Sequence, residues 1–324
     1  MGYVPCVIRR IRPASVTHIG VVVAAALLSA LTATAWTSAG RHTDQVVASI
    51  TRPTVAAPSG RYTDLVFASA AKSTATYGTA PALVGGAPTT LRLDVYQPVG
   101  DTLPARPAIV WIHGGGFVGG RRSYMAGVAT AYARRGYVTF SIDYRVDSGS
   151  RCQAVQDGDT TDPAQVARCT AAIQAAQDDA LDAIRWVRDH AATYRIDTTR
   201  VAVGGSSAGA VTAINVAQNV NPTHGVVRDR IKVGAALAMS GCNYDLPSID
   251  ANDAPISMLH AGHDIAVPYA CARATVDRAK SFGIPARRIF YPAESGHGMA
   301  LYDAHRVTVD ASWCAFLKAR LGLP

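Results

Sequence analysis

A serine in a tight glycine turn is the first candidate for chemistry in this sequence. Ser207 is the central residue of Gly-Ser-Ser-Ala-Gly at positions 205–209, between an apolar, strand-like run at 201–204 and a helix-compatible run at 210–220. The order of strand, Gly-x-Ser-x-Gly and helix is typical of a turn that presents a serine hydroxyl as a nucleophile. The pentapeptide alone is a weak signal in a chain with 28 glycines, so its neighbours decide the interpretation.

A serine nucleophile needs a base, a carboxylate that orients the base, and donors for the developing oxyanion. We predict that the base is His297, because it lies between two glycines in a loop directly after the last predicted strand. We predict that the carboxylate is Asp264, because it follows the preceding predicted strand and can reach that loop. The chain order of serine, aspartate and histidine is the one that such turns use.

Other residues compete for the roles of base and carboxylate. Asp303 and Glu294 are reserve candidates for the carboxylate, and Asp264 has the alternative role of capping a helix that starts after Pro268. Three further histidines lie near the ends of the last strands, but none follows the final strand within a loop flanked by glycines: His260, His263 and His305.

The donors for the oxyanion are predicted in a run of three glycines. Gly114, Gly115 and Gly116 follow an apolar strand predicted at 108–113, and their backbone N–H groups carry no obstructing side chain. The alternatives are a flexible turn or a phosphate-binding loop, but the segment has neither a G-x-G-x-x-G fingerprint nor a Walker lysine. We therefore predict that the N–H groups of Gly115, Gly116 and Ala208 hold the oxyanion.

The elements around these residues predict an α/β fold. Strands are predicted at 64–68, 91–97, 108–113, 137–143, 200–204, 233–240, 256–261 and 287–291, and helices at 125–135, 178–194, 209–218, 269–282 and 306–321. Such alternation is typical of a mostly parallel central sheet with helices on both faces. Ligands bind at the carboxyl ends of the strands in this architecture, where all the candidate residues lie.

These motifs together resemble the α/β-hydrolase carboxylesterases that carry a His-Gly-Gly-Gly oxyanion loop. The resemblance extends from residue 91 to residue 321 and rests on the segments at 113–117, 143–145, 179–188, 196–203, 205–209 and 296–298. It implies the α/β-hydrolase fold and the hydrolysis of carboxylic esters through an acyl-enzyme. It also implies a catalytic triad of Ser207, Asp264 and His297, with neither a cofactor nor a metal.

The sequence departs from the relatives that carry a helical cap. The region before the first strands reads as a tether, and the connection between the strands predicted at 233–240 and 256–261 is short, so no large cap domain is expected. An open cleft suits short-chain esters or polymeric extracellular esters. The alternatives are an acyltransferase with the same triad, a peptidase, and a non-catalytic surface protein with the hydrolase fold.

The N-terminus is typical of an export signal. A basic stretch ends near Arg12, an apolar run covers 19–31, and Ala-Thr-Ala at 33–35 fits a cleavage site. The alternative is an uncleaved membrane anchor, which the apolar run is barely long enough to form. We expect a signal at 1–35, a flexible tether at 36–60 and one hydrolase domain at 61–324, in a protein that is secreted or held in the cell envelope through its N-terminus.

Charge predicts no nucleic-acid partner. The formal net charge is +8, but the basic residues are dispersed, and no basic stripe is interleaved with aromatic residues. The expected partner is an ester substrate, either a small molecule or a polymer.

A polar insertion at 146–177 contains paired cysteines and an acidic cluster. Export makes disulfides plausible, and Cys152 and Cys169, which bracket the segment, are the expected pair. A second pair of Cys242 and Cys271 would leave Cys314 free or buried. Three aspartates lack the spacing of a calcium-binding EF-hand loop, which favours a solvated loop over a calcium site: Asp157, Asp159 and Asp162.

Overall fold

The computed structural model describes residues 59–218 and 232–324. The predicted export signal at 1–35 and nearly all of the predicted tether at 36–60 lie outside these residues and stay predictions. Within the two described ranges, no helix has both the length and the apolar character needed to cross a membrane.

The described chain is built around one sheet of eight strands. The strands are β1 (Ala70–Ala80), β2 (Thr89–Pro98), β3 (Arg106–Ile112), β4 (Val138–Ile142), β5 (Ile196–Ser206), β6 (Ala235–Met239), β7 (Ile256–Ala261) and β8 (Ala286–Tyr291). Their spatial order is β1-β2-β4-β3-β5-β6-β7-β8. The β1–β2 and β2–β4 pairs are antiparallel, and every pair from β4 to β8 is parallel.

Helices cover both faces of this sheet. They are α1 (Ala126–Ala133), α2 (Cys152–Asp157), α3 (Pro163–Asp189), α4 (Ala191–Tyr194), α5 (Ala208–Ala217), α6 (Tyr269–Ser281), α7 (Gly298–Ala304) and α8 (Arg306–Leu321). Side chains alternate between the two faces along a strand, so β3 sends Val110 to a core with α3, α5 and α6 and Trp111 to a core with α1, α7 and α8. The predicted architecture is confirmed.

One predicted strand is wrong. Residues 64–68 form no strand, and the first strand is β1, which pairs with β2. The N–H groups of Tyr62 and Phe67 donate instead to the carbonyl oxygens of Arg135 and Arg134 at the end of α1. Because those backbone groups already have partners, the segment packs on a helix end rather than on the sheet edge.

The insertion at 146–177 is largely helical, although no helix was predicted within it, and the acidic stretch predicted as a solvated loop forms the exposed connection at 158–162. The insertion contains α2 and the first half of α3, which begins much earlier than the helix predicted at 178–194. Asp162 caps α3 by accepting the N–H of Ala164, and Pro163 occupies the first helical position, so the sequence does carry a helix-start signal. Helix α7, between the last loop and α8, is also absent from the prediction.

The cysteines of the insertion form a disulfide, and Asp157 accepts a side-chain hydrogen bond. Disulfides join Cys152 to Cys169 and Cys242 to Cys271, while the buried Cys314 forms no disulfide within the described ranges. Asp157 accepts a hydrogen bond from Gln153. Across the described residues, no group of three or more His, Cys, Asp or Glu side chains is placed to hold a metal ion.

Candidate active site

Ser207 lies at the sharp turn between β5 and α5. Its backbone has φ of 56° and ψ of −123°, a strained conformation that residues other than glycine rarely adopt. A Cβ on Gly205 would lie 2.1 Å from the carbonyl oxygen of Gly209, and a Cβ on Gly209 would lie 2.2 Å from that of Ile112. Both glycines are therefore required for strand and helix to approach this closely.

The predicted base is in hydrogen-bond contact with this serine. Nε2 of His297 lies 2.7 Å from Oγ of Ser207, and Nδ1 lies 2.8 Å from Oδ2 of Asp264. A carboxylate only accepts hydrogen bonds, so Nδ1 carries the proton, and Nε2 is left to accept the serine O–H. The histidine side chain is 31% exposed, so a ligand can reach it.

The Asp264 carboxylate is held by its own loop. Its side chain has no exposed surface, and Oδ1 accepts the N–H groups of Ala266 at 2.9 Å and Val267 at 3.0 Å. Burial alone would raise the pKa of this carboxyl, but the hydrogen bonds from His297, Val267 and Ala266 outweigh it and lower the pKa to about 2. The group is therefore ionised at neutral pH.

The glycine loop after β3 packs directly against the nucleophile. A Cβ on Gly114 would lie 3.1 Å from Cβ of Ser207, and Gly115 and Gly116 have φ of 131° and 61°. In the described part of the chain, the N–H groups of Gly115, Gly116 and Ala208 donate to no protein acceptor. Ala208 is also the first residue of α5, where the helix dipole favours negative charge.

His113 stabilises this loop from behind. Its Nδ1 lies 2.7 Å from the carbonyl oxygen of Gly114, and its ring stacks on Tyr144 at 4.2 Å between centroids. Tyr144 donates its hydroxyl to the carbonyl oxygen of His113. Burial lowers the pKa of His113, which favours the neutral ring. The role of Tyr144 was missed, because nothing in its spacing connects it to the glycine loop.

The competing candidates have other partners, although Nε2 of His260 also lies 3.6 Å from Oδ2 of Asp264. Glu294 is paired with His305 at 2.6 Å, and Asp303 is paired with Arg306. His260 is buried on β7 with Nε2 2.9 Å from the carbonyl oxygen of Val267, so it braces the loop that carries the predicted carboxylate.

Ser240, directly after β6, also contacts the site and was not predicted from the sequence. Its backbone has φ of 56°, and its Oγ accepts the N–H of Gly298, the residue after His297. It therefore helps to place the histidine loop. A single serine at a strand end carries no sequence signal for such a contact.

Sheet order, nucleophile turn and glycine loop together define the α/β-hydrolase fold. The BD-FAE family model matches residues 93–232. Carboxylesterase 1C of Rattus norvegicus is 33% identical over 122 residues, which are 37% of this chain and 20% of the rat protein, and the Mus musculus protein of that name is 32% identical over the same length. The chain thus matches about a fifth of the length of these relatives.

Solved structures agree on the fold. Esterase 2 of Thermogutta terrifontis, phosphorylated by paraoxon, superposes with a TM-score of 0.62 at 20% identity, over 78% of this chain and 95% of the esterase. The propionate-bound form of that esterase gives a TM-score of 0.58 at 20% identity, over 78% of this chain and 94% of the esterase. The chain therefore has the α/β-hydrolase fold, and over part of its length its sequence is similar to carboxylesterases.

Proposed function

We propose that this protein hydrolyses carboxylic esters through an acyl-enzyme formed on Ser207. The observation that carries the proposal is the continuous hydrogen-bonded series from Asp264 through His297 to Ser207, beside backbone N–H groups that have no acceptor among the described residues. This arrangement supplies a nucleophile, a base, an orienting carboxylate and oxyanion donors at one point.

In the acylation half, Oγ of Ser207 attacks the ester carbonyl carbon while Nε2 of His297 takes the hydroxyl proton. Asp264 stabilises the imidazolium, and the N–H groups of Gly115, Gly116 and Ala208 hold the carbonyl oxygen as it becomes an anion. The tetrahedral intermediate collapses when the C–O bond to the alcohol breaks and the imidazolium protonates the leaving oxygen.

In the deacylation half, water takes the place of the serine. His297 removes a proton from water as the water oxygen attacks the acyl carbon, and a second oxyanion forms at the same donors. Collapse of this intermediate releases the carboxylic acid and returns the proton to Oγ of Ser207. No step calls for a metal or an organic cofactor.

We propose short-chain or exposed extracellular esters as the substrates. The connection between β6 and β7 contains only one short 3-10 turn, Leu246–Ser248, so no helical cap arises from it. One Thermogutta terrifontis esterase 2 structure is described as propionate-bound and another as butyrate-bound, which supports short acyl groups. Export of the protein is proposed from the N-terminal sequence and is consistent with two disulfides.

The decisive experiment replaces the nucleophile. Ser207→Ala is expected to lower kcat on p-nitrophenyl esters of short acids by several orders of magnitude, on the order of 10⁴ or more. The matched control is Ser281→Ala, because Ser281 is exposed at the end of α6. Unchanged turnover by Ser207→Ala would exclude the proposal. Product analysis with an added alcohol tests the transferase alternative, because a transferase would yield a new ester rather than the free acid.

A further inference from the structure

The helical insertion contacts the loop that carries the predicted carboxylate. Nε2 of Gln153 on α2 donates a hydrogen bond of 2.8 Å to the carbonyl oxygen of Ala266. The N–H of the same Ala266 donates to Oδ1 of Asp264. A side chain of the insertion is therefore hydrogen-bonded to the residue whose N–H the carboxylate accepts.

Two local ties fix the position of Gln153 itself. Its Nε2 also donates to Asp157, one helical turn further along α2. Helix α2 has only six residues, and a helix this short is unstable by itself in water because it forms too few hydrogen bonds to offset the cost of nucleation. Cys152, the residue before Gln153, is bonded to Cys169, which is buried on the 27-residue helix α3, so a covalent bond anchors α2 to this long helix.

The C-terminal end of the loop that carries Asp264 is also held by hydrogen bonds and by a disulfide. Cys271 lies in the first turn of α6, donates its N–H to the carbonyl oxygen of Pro268, and is bonded to Cys242 after β6. Nε2 of His260 contacts the carbonyl oxygen of Val267. The carboxylate loop thus lies between two disulfides, and Gln153 is the side chain that connects it to the insertion.

We propose that Gln153 is a positioning residue for Asp264, and that α2 with its disulfide is the element that presents it. The inference rests on the proposed ester hydrolysis. Gln153 acts through the backbone of Ala266, so it affects the turnover of bound substrate rather than substrate binding. Loss of its hydrogen bond lets the carboxylate leave the arrangement that orients His297.

The test separates the hydrogen bond from the volume of the side chain. Gln153→Met keeps the length of the side chain but removes the donor, and it is expected to lower kcat about threefold to tenfold with KM unchanged. Gln153→Lys restores a donor beside Asp157 and is expected to restore most of kcat. The matched control is Gln174→Met, because Nε2 of Gln174 donates to Asp178 four residues on in α3. This variant is expected to keep wild-type kcat.

The outcomes distinguish the two proposals. If the wild type is active and Gln153→Met has the kcat of Gln174→Met, the positioning role is excluded and ester hydrolysis stands. A raised KM with constant kcat, or a Gln153→Lys variant as slow as Gln153→Met, also overturns the positioning role. Absence of turnover in the wild type would overturn the ester hydrolysis and this inference with it.

Discussion

Two groups of residues form the site around Ser207. The glycine side consists of Gly114, Gly115 and Gly116, and the carboxylate side consists of His297 and Asp264, which come from distant parts of the chain. On the glycine side, the contacts are between backbones, as where Gly114 and Gly209 approach the neighbouring strands. On the other side, His297 and Asp264 reach the serine through side-chain hydrogen bonds, and a side chain and disulfides brace their loops.

This difference determines how each side can fail. The glycine side is local in sequence and depends on backbone conformations that a side chain would block. The side with the base and carboxylate depends on contacts between residues far apart in the chain, so it can loosen while the serine and the glycine loop stay in place. The predictions below separate these two kinds of failure.

The largest effect is expected on the carboxylate side, from Asp264→Asn. An amide at this position can donate its N–H to Nδ1 of His297, which favours the Nε2–H tautomer that cannot accept the serine proton. We expect kcat to fall by about 10⁴ in p-nitrophenyl ester hydrolysis. An Asp303→Asn control, on the reserve candidate at the surface, is expected to keep wild-type kcat. The reverse result would move the carboxylate role to Asp303.

On the glycine side, Gly115→Ala is expected to lower kcat by roughly 10²–10³. Its φ of 131° disfavours any side chain, and the new Cβ would lie 2.1 Å from the carbonyl oxygen of Gly119, so the oxyanion donors must move. Gly119→Ala is the matched control, because a Cβ on Gly119 would meet no atom of the described residues within 4 Å. Equal activity of the two variants would argue against an oxyanion role for this turn.

Removal of the disulfide between Cys152 and Cys169 is expected to lower kcat by a smaller factor, through the carboxylate side alone. Removing it with Cys152→Ser and Cys169→Ser frees a loop with a sequence separation of 17, which lowers the free energy of unfolding by about 3 kcal/mol. In the folded variant, kcat is expected to fall as in Gln153→Met. Urea unfolding and ester kinetics measure the two effects.

The cysteine control for that prediction is Cys314→Ala. It removes a buried thiol on α8 without removing a cross-link, so any change in stability is expected to leave kcat unchanged. A folded double serine variant with wild-type kcat would show that the disulfide stabilises the insertion without positioning the carboxylate.

The glycine side was predictable from sequence because its cause is local. The turn around Ser207 and the run at Gly114 are short motifs whose residue types and flanking strands carry the required conformations. Asp264 and His297 were named from chain order and strand ends, and the structure brings them together. The roles of Gln153, Ser240 and Tyr144 were not predicted, because their contacts join segments that no sequence pattern relates. The helices of the insertion were not predicted, because its polar composition hid the capping signal of Asp162 and Pro163.

The smallest expected effect is on the free energy of unfolding in acid, and it is expected for Asp264 on the carboxylate side but not for Gly115 on the glycine side. Folding lowers the pKa of Asp264 from 3.8 to about 2, although burial alone would raise it, because His297, Val267 and Ala266 donate to the carboxylate. A lowered pKa stabilises the folded state above pH 3.8, and this contribution is lost as pH falls from 3.8 towards 2. Between pH 6 and pH 3 the wild type should therefore lose about 1 kcal/mol more than Asp264→Asn.

Urea unfolding of both proteins at pH 6 and pH 3 measures this difference, since the other carboxylates titrate alike in each and cancel. Gly115→Ala serves as the comparison from the glycine side. It changes no titratable group, so its difference from the wild type in unfolding free energy is expected to stay constant between the two pH values. The prediction fails if the difference in unfolding free energy between the wild type and Asp264→Asn is also the same at pH 6 and pH 3. Folding would then not lower the pKa of Asp264.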